Sequence, residues 1–340
     1  MRPGGRNSPL TIGVFTLLVS FVYMPSTQTV ESLLPGVQRD VPLRDYATFR
    51  IGGSASYFFV ATTKDQIRQA FLVSRQMSLP LLVLSGGSNM LISDNGFSGL
   101  VVLMKTADYT LQSAALSAEA GVSMDTLVQK TTEKGFAGLE WAGGLPGSVG
   151  GAVRGNAGAF GAEIKDSIAA VEFLDEKGNV RVLQKEQCEF SYRSSIFKTN
   201  GWIVLSAQFS LREGDKEQLC EEAASHIQYR KDHHPLEYPN AGSVFKNVDL
   251  KKLPKEFHER VRDHVKTDPF PVVPAAYLIS EAGLKSRRIG EAQISEKHPN
   301  YIINLGGASV RDVLELIAVV KKEIWEKYHV VLEEEITILE

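Results

Sequence analysis

Gly143-Gly144-Leu145-Pro146-Gly147-Ser148-Val149-Gly150-Gly151-Ala152, followed closely by Gly155-Asn156-Ala157-Gly158-Ala159-Phe160-Gly161, is the stretch on which the reading of this chain turns. So many residues without bulky side chains, in a region that is neither repetitive nor of low complexity, point to a large flat ligand pressed against backbone. An elongated cofactor fits that description, and a purely structural glycine-rich bend is the competing explanation. The spacing is neither GxGxxG nor GxxxxGK, so the Rossmann and P-loop explanations fail. A shorter loop, Ser85-Gly86-Gly87-Ser88-Asn89, breaks off an apolar run at 81–84. Its backbone amides can form an anion nest, or its two glycines can serve a tight turn.

Working outward, the 340 residues carry 37 Lys and Arg against 40 Asp and Glu, a formal charge of -3, so there is no basic excess to grip nucleic acid. With 43% hydrophobic residues, 29 glycines and 14 prolines the chain is a globular protein of two or three domains, not a disordered or collagen-like one. Cys188 and Cys220 are its only cysteines, outside any CxxC or Cys/His metal spacing, which excludes a disulfide framework and structural zinc. Nothing beside them argues for a lowered thiol pKa. A cytoplasmic location follows as the expectation. Arg2 and Arg6 precede a nearly uncharged stretch at 10–24 that is short for a membrane span. A weak export or membrane anchor, a poorly ordered extension and an upstream start all remain open for residues 1–40.

From residue 41 the pattern predicts mixed helices and strands. A helix is expected over 61–77, capped by Thr62 and Asp65, with Ile67, Ala70, Phe71 and Ser74 on one face. Strands are expected at 81–84 and 100–103. Between 106 and 211 sheet dominates, with one short helix at 123–134 and a hairpin whose arms, 169–174 and 180–183, flank Lys177-Gly178-Asn179. A helix at 213–230 and the breaker-rich 234–239 segment place a boundary near Arg212. Beyond it come a helix at 274–282, a strand at 301–304, a long helix at 309–328 with Val310, Val313, Leu314, Ile317, Val320 and Ile324 as its buried stripe, and a strand over 330–339.

In order along the chain, Thr48-Phe49-Arg50-Ile51-Gly52-Gly53, the Ser85 to Asn89 loop and Gly138-Leu139-Glu140 through Gly161 together resemble the UDP-N-acetylenolpyruvoylglucosamine reductase family, over roughly residues 43–340. The resemblance implies an α+β protein with a vanillyl-alcohol-oxidase/PCMH-like FAD-binding fold. Its two subdomains would be 41–105 and 106–211, joined by a C-terminal α/β substrate-binding domain at 212–328 and a final strand, 329–340, carrying a catalytic glutamate. FAD would be held by Gly52, Gly53, Ser85, Gly86, Gly87, Ser88, Asn89, Gly144, Pro146, Gly147, Ser148, Gly150, Gly151, Asn156, Gly158 and Ala159. Nothing in the loops suggests a covalent flavin link.

Three further segments extend the resemblance. Tyr192-Arg193-Ser194-Ser195-Ile196-Phe197-Lys198 is similar to the family's active-site arginine motif and implies a catalytic Arg193, whose planar, permanently charged fork suits a carboxylate. Pro239-Asn240-Ala241-Gly242-Ser243-Val244-Phe245-Lys246-Asn247 is similar to its serine motif, which makes Ser243 the proton donor and puts Asn247 near the substrate diphosphate. Val248 replaces the proline that usually follows. Leu332-Glu333-Glu334-Glu335-Ile336 implies a catalytic Glu335, and strand alternation would set Glu333 and Glu335 on one face. Without these motifs a surface ion pair, a turn serine and an exposed acidic strand end would be the ordinary explanations. His226, His233 and His234 lack partners in a metal-ligand pattern, so no metal is expected, and Arg230 or Lys231 is expected to contact the diphosphate. The segment is similar to the family's shorter-loop branch.

The resemblance implies reduction of UDP-N-acetylglucosamine enolpyruvate to UDP-N-acetylmuramate in peptidoglycan precursor synthesis. NADPH supplies hydride through FAD to C3, and Ser243 protonates C2. The alternatives are another FAD-dependent sugar or hydroxy-acid oxidoreductase of the same fold and, less favoured, a nonenzymatic nucleotide-binding or structural protein. No obligate protein partner is expected.

Overall fold

The computed structural model describes residues 28–267 and 270–339, so the 10–24 stretch lies outside the described residues. Among the described residues no helix is long and apolar enough to cross a membrane.

The first layer holds β1 (Gln38–Pro42), β2 (Ser54–Ala61), α1 (Lys64–Gln76), β3 (Leu81–Leu84), β4 (Met90–Ile92) and β5 (Phe97–Met104). β2 and β3 both run parallel to β5, and β1 closes the edge antiparallel to β2. Leu100 to Met104 of β5 are all buried, the continuous apolar run of a strand covered on both faces. α1 buries the expected Ile67, Ala70, Phe71 and Ser74, but it starts later than its periodicity predicts. β2 continues to Ala61, and the cap is Thr63 with Gln66, whose side-chain oxygen accepts the N–H groups of both Thr62 and Thr63.

The second layer holds β6 (Tyr109–Gln112), β7 (Ala115–Glu119), α2 (Met124–Thr132), α3 (Val149–Gly155), β8 (Ile168–Leu174), β9 (Val180–Gln184) and β10 (Ile203–Ser210). Its sheet is antiparallel throughout, in the order β9-β8-β10-β7-β6. The β8/β9 hairpin forms as expected, its turn fixed by Asp175, which accepts from the backbone N–H of Lys177 and Asn179 at 2.9 Å each. α3 is not legible in the glycine run. It forms because Gly150 lets the helix lie on the chain after β7, where an added Cβ would stand 2.9 Å from Ala120 Cβ. One interior runs from Phe59 and Ile67 through Leu127 and Val171 to Phe209, so a division at residue 105 separates two sheets that share a core.

α4 spans Lys216–His233, not 213–230, because Arg212–Glu213 pairs with Phe136–Ala137 and Asp215 caps the helix. Ala223 of α4 belongs to the first core, so by packing the change of domain comes after the helix and not at Arg212. Beyond it α5 (Ala275–Glu281), β11 (Arg288–Ile289), β12 (Ala292–Ile294), β13 (Ile302–Asn304) and α6 (Val310–Tyr328) surround a second core that also takes in Phe49, Ile51 and Leu91. The α6 stripe uses Leu316, fully buried, where the reading placed Leu314, which is only partly buried. The closing strand is short: β14 is Thr337–Leu339, and residues 330–336 are irregular apart from one bridge between Glu334 and Phe245. β14 lies parallel to β4, which carries the end of the C-terminal part back into the first layer.

Candidate active site

Arg193 projects from a tight turn closed by paired backbone bonds between Ser191 and Ser194, and its own φ of 56° is one that few non-glycine residues adopt. The turn is tied down by Asn156, the left-handed cap of α3. Its amide donates to Ser191 O at 3.0 Å, and its oxygen accepts from Lys165 N–H at 3.2 Å. Arg193 Nε donates to Glu335 Oε1 at 2.6 Å and Nη2 donates to Gly158 O at 3.0 Å. Burial opposes the guanidinium charge, but Glu335, Tyr192 and Glu163 outweigh it and raise the pKa above its ordinary value. The site therefore holds a permanent cation with two of its nitrogens anchored.

Glu335 is fixed through its backbone as well. Its N–H donates to Val244 O at 2.8 Å, and its carbonyl accepts from Asn89 Nδ2 at 3.1 Å. Val244 in turn donates to Asn300 O at 2.8 Å, and the Asn300 side chain bonds both polar backbone atoms of Phe245. Ser243 sits immediately before this clamp, after Gly242, whose φ of 80° suits the preceding turn. The expected catalytic groups are thus brought together from three distant segments. Glu335 is distinguished from its neighbours by different means than alternation: Glu333 pairs with Lys246 and Lys252, Glu334 with Lys321, and only Glu335 reaches Arg193.

The glycine loops face one another. A Cβ at Gly86 would stand 2.9 Å from Gly147 Cα, and one at Gly147 would meet Ser88 Oγ at 3.1 Å. The backbone of both loops is therefore accessible only because neither carries a side chain there. Two buried polar atoms beside the second loop, Ser148 Oγ and Arg230 Nη2, lack a partner among the described residues, which fits a polar ligand lying along it. For other members of the expected cofactor set, packing within the protein accounts for the residue present. Gly53 is required by the loop at Asp94, whose carbonyl would lie 2.3 Å from a Cβ, and an added Cβ at Gly52 would meet Ile92. Asn156 is fully buried with both ends of its amide engaged. These three serve backbone packing.

Arg230, expected at the substrate diphosphate, is held by α4. It is buried against the glycine run, donating from Nε to Gly143 O at 2.9 Å with its guanidinium 5.2 Å above the Phe160 ring, because α4 packs on the first core. Burial lowers its pKa. Lys231 is exposed, while Asn247 accepts from Ala275 N–H at 3.2 Å at the start of α5. Motif reading missed a basic cluster: burial lowers the Lys198 pKa first, with Lys246 and Arg154 adding to it by charge. Lys198 and Lys246 both stand inside the motifs quoted above, where attention to one residue per motif hid them. Tyr301, His234 and His298, which pack together beside Ser243, carried no motif signal at all.

Comparison with known proteins adds the following. A family model described as the UDP-N-acetylenolpyruvoylglucosamine reductase C-terminal domain matches residues 234–339, and one described as an FAD binding domain matches 55–184. A UDP-N-acetylenolpyruvoylglucosamine reductase of Caldanaerobacter subterraneus subsp. tengcongensis is 37% identical over 299 residues, 88% of this chain and 92% of that one. The protein of the same name from Latilactobacillus sakei is 36% identical over 318 residues, 93% and 96% of the two chains. The crystal structure of the reductase from Thermus caldophilus matches with a TM-score of 0.72 at 33% identity, covering 89% of this chain and 99% of that one.

Proposed function

The chain belongs to the UDP-N-acetylenolpyruvoylglucosamine reductase family, and from that premise we propose that it draws hydride from NADPH and uses Arg193, Ser243 and Glu335 as its catalytic groups. It is an FAD-containing UDP-N-acetylmuramate dehydrogenase, built as a vanillyl-alcohol-oxidase/PCMH-like FAD domain with the family's C-terminal domain, and it reduces the enolpyruvyl nucleotide in peptidoglycan precursor synthesis. The observation that carries the assignment of roles is the convergence of Arg193, Ser243 and Glu335 around one pair of backbone bonds at Val244.

Bound FAD supplies the hydride chemistry between the nicotinamide and the enolpyruvyl carbon. The backbone of Gly86 and Gly147 would cradle it, with Ser148 Oγ and Arg230 Nη2 finding in it the partners they otherwise lack. Arg193 receives the substrate carboxylate, its Nη1 being free of hydrogen bonds among the described residues, while Glu335 and Gly158 keep the fork aimed. Charge that develops on that carboxylate is stabilised by a cation already in position, so no reorganisation is needed during the reaction. Ser243 delivers the proton to C2. A free hydroxyl is a weak acid, and the serine works only because it is held at a carbon made basic by hydride addition. Lys198, Lys246 and Arg154 set a positive field for the diphosphate. The proposed location of this chemistry is the cytoplasm.

The test is an anaerobic absorbance time course of FAD-loaded protein with NADPH, with and without the enolpyruvyl nucleotide, and mass analysis of the product. Substrate-dependent return of oxidised flavin and a gain of two hydrogens (about 2 Da) are expected. Flavin that stays reduced until oxygen enters would overturn the assignment in favour of an oxidase, and rapid reduction by NADH but not NADPH would overturn the choice of reductant.

A further inference from the structure

Ser243 can give up its proton once; a turnover enzyme must restore it. The Asn300 carbonyl accepts from Val244 N–H at 2.8 Å, and this bond is flanked by Ser243 before Val244 and Tyr301 after Asn300. The Ser243 hydroxyl is a near neighbour of the Tyr301 phenol, and its influence offsets part of the rise that burial gives the phenol pKa. The phenol oxygen is also 3.1 Å from His234 Nδ1. His234 is partly exposed, and the next residue, Pro235, lines an open cleft of about 420 Å³ with Ser295 and Lys297. Exchangeable hydrogens are therefore set in series between solvent and the neighbourhood of the serine, and none of their carriers beyond Ser243 has a part in the chemistry above.

Resting on that assignment of Ser243, we propose that Tyr301 and His234 form a proton relay that reloads the serine after each turnover. As the Ser243 O–H bond breaks and its hydrogen bonds to C2, the bonding pair stays on Oγ. The Tyr301 hydrogen moves to Oγ, and the His234 Nδ1 hydrogen moves to the phenol oxygen. Nε2 takes a proton from solvent, so the ring ends as the other neutral tautomer and the net change is one proton drawn from water.

The surroundings suit that exchange. Burial, then His298, Arg230, His233 and Lys297, hold the His234 pKa down at about 4, so the ring is neutral at physiological pH and can donate and accept. Burial pushes Tyr301 up to about 12, which keeps its hydrogen in place until it is needed. His298 is likewise held at about 4, chiefly by burial, and packs edge-on to both rings, at 5.3 Å from His234 and 4.7 Å from Tyr301. Tyr229 packs edge-on to His234 from α4. The largest influences on His234, burial and the neighbouring His, Arg and Lys side chains, all favour its neutral form.

The test uses FAD-loaded protein, reduced anaerobically and mixed with UDP-N-acetylglucosamine enolpyruvate in H2O and in D2O. Tyr301→Phe, which keeps the ring and removes the hydrogen, should slow flavin reoxidation about tenfold or more and raise the solvent isotope effect, with reduction by NADPH and the substrate KM unchanged. His234→Gln can hold the phenol but cannot change tautomer, and should slow the same step. Nitrogen-15 histidine spectra of the substrate-free protein should show the His234 Nδ1 signal moving on Tyr301→Phe. A wild-type reoxidation rate in Tyr301→Phe, or full speed in His234→Gln, would overturn the relay while leaving Ser243 as donor. Failure of the wild-type protein to be reoxidised by the nucleotide would instead remove the assignment on which the relay rests.

Discussion

The two halves of the site are built on opposite principles. Around Gly86 and Gly147 function depends on side chains that are missing, because two backbones approach so closely that a single Cβ would fill the gap. Around Arg193, Ser243 and Glu335 it depends on charged and polar side chains drawn from distant parts of the chain and locked by backbone bonds at Val244. The first design excludes atoms, and the second places them. A cradle of backbone holds a large cofactor by shape, while a reaction that moves a proton to one carbon needs a few groups in fixed orientation.

The largest expected effect tests that division directly. Ser243→Ala should cut the oxidative half-reaction by about 10²–10⁴, with FAD content and NADPH-driven reduction at wild-type levels, as stopped-flow absorbance would measure. Loss of FAD in that variant would break the separation. Gly86→Val should do the reverse: roughly tenfold to a hundredfold weaker FAD binding by fluorescence titration, because the new side chain meets Gly147, with Ser243 and Arg193 undisturbed.

The proton-placing half should also be the acid-sensitive one. His234 and His298 are held near pKa 4 against an ordinary 6.5, so the folded state prefers them neutral. Their contribution is complete above pH 6.5 and is lost as pH falls toward 4, where both folded and unfolded forms are protonated. Allowing for their partial exposure, roughly 2 kcal/mol of stability should disappear over that range in urea titrations, and His298→Asn should reduce the slope. The smallest effect concerns the tie between halves. Asn89→Ala removes the bond to Glu335 O and should cost about 1 kcal/mol, with a modest rise in KM measurable by steady-state assay.

The same contrast decides what could be read from sequence. Glycine density is a local property, so the two loops and the α1 face stood out at once, as did the Leu81–Leu84 strand. The purpose of each glycine did not, because Gly52 and Gly53 answer to Ile92 and Asp94, which sequence does not place beside them. Likewise α3 is hidden, since helix propensity disfavours Gly150 and Gly151, and the packing of Ala120 that requires Gly150 is a tertiary contact. Arg193, Ser243 and Glu335 came from resemblance, and no spacing rule could have joined positions so far apart. Strand alternation pointed to Glu335 through a strand that is not there; ion pairing with Arg193 is what singles it out. Arg230 or Lys231 is expected at the substrate diphosphate, and that Arg230 also packs against the glycine run follows from Ala223 of the same helix joining the first core, which sequence does not show.

The parallel pairing of β14 with β4 has a consequence in time. Asn89 and Glu335 are 246 residues apart, so a chain leaving the ribosome completes the glycine loops and the whole first core long before the segment carrying Glu335 exists. Until then the β4 edge is unpaired and Arg193 lacks its hydrogen-bonded partner Glu335. A nascent or prematurely ended chain would thus be able to gather flavin without being able to use it, and the arrival of β14 switches the protein from cofactor holder to catalyst in a single closing step.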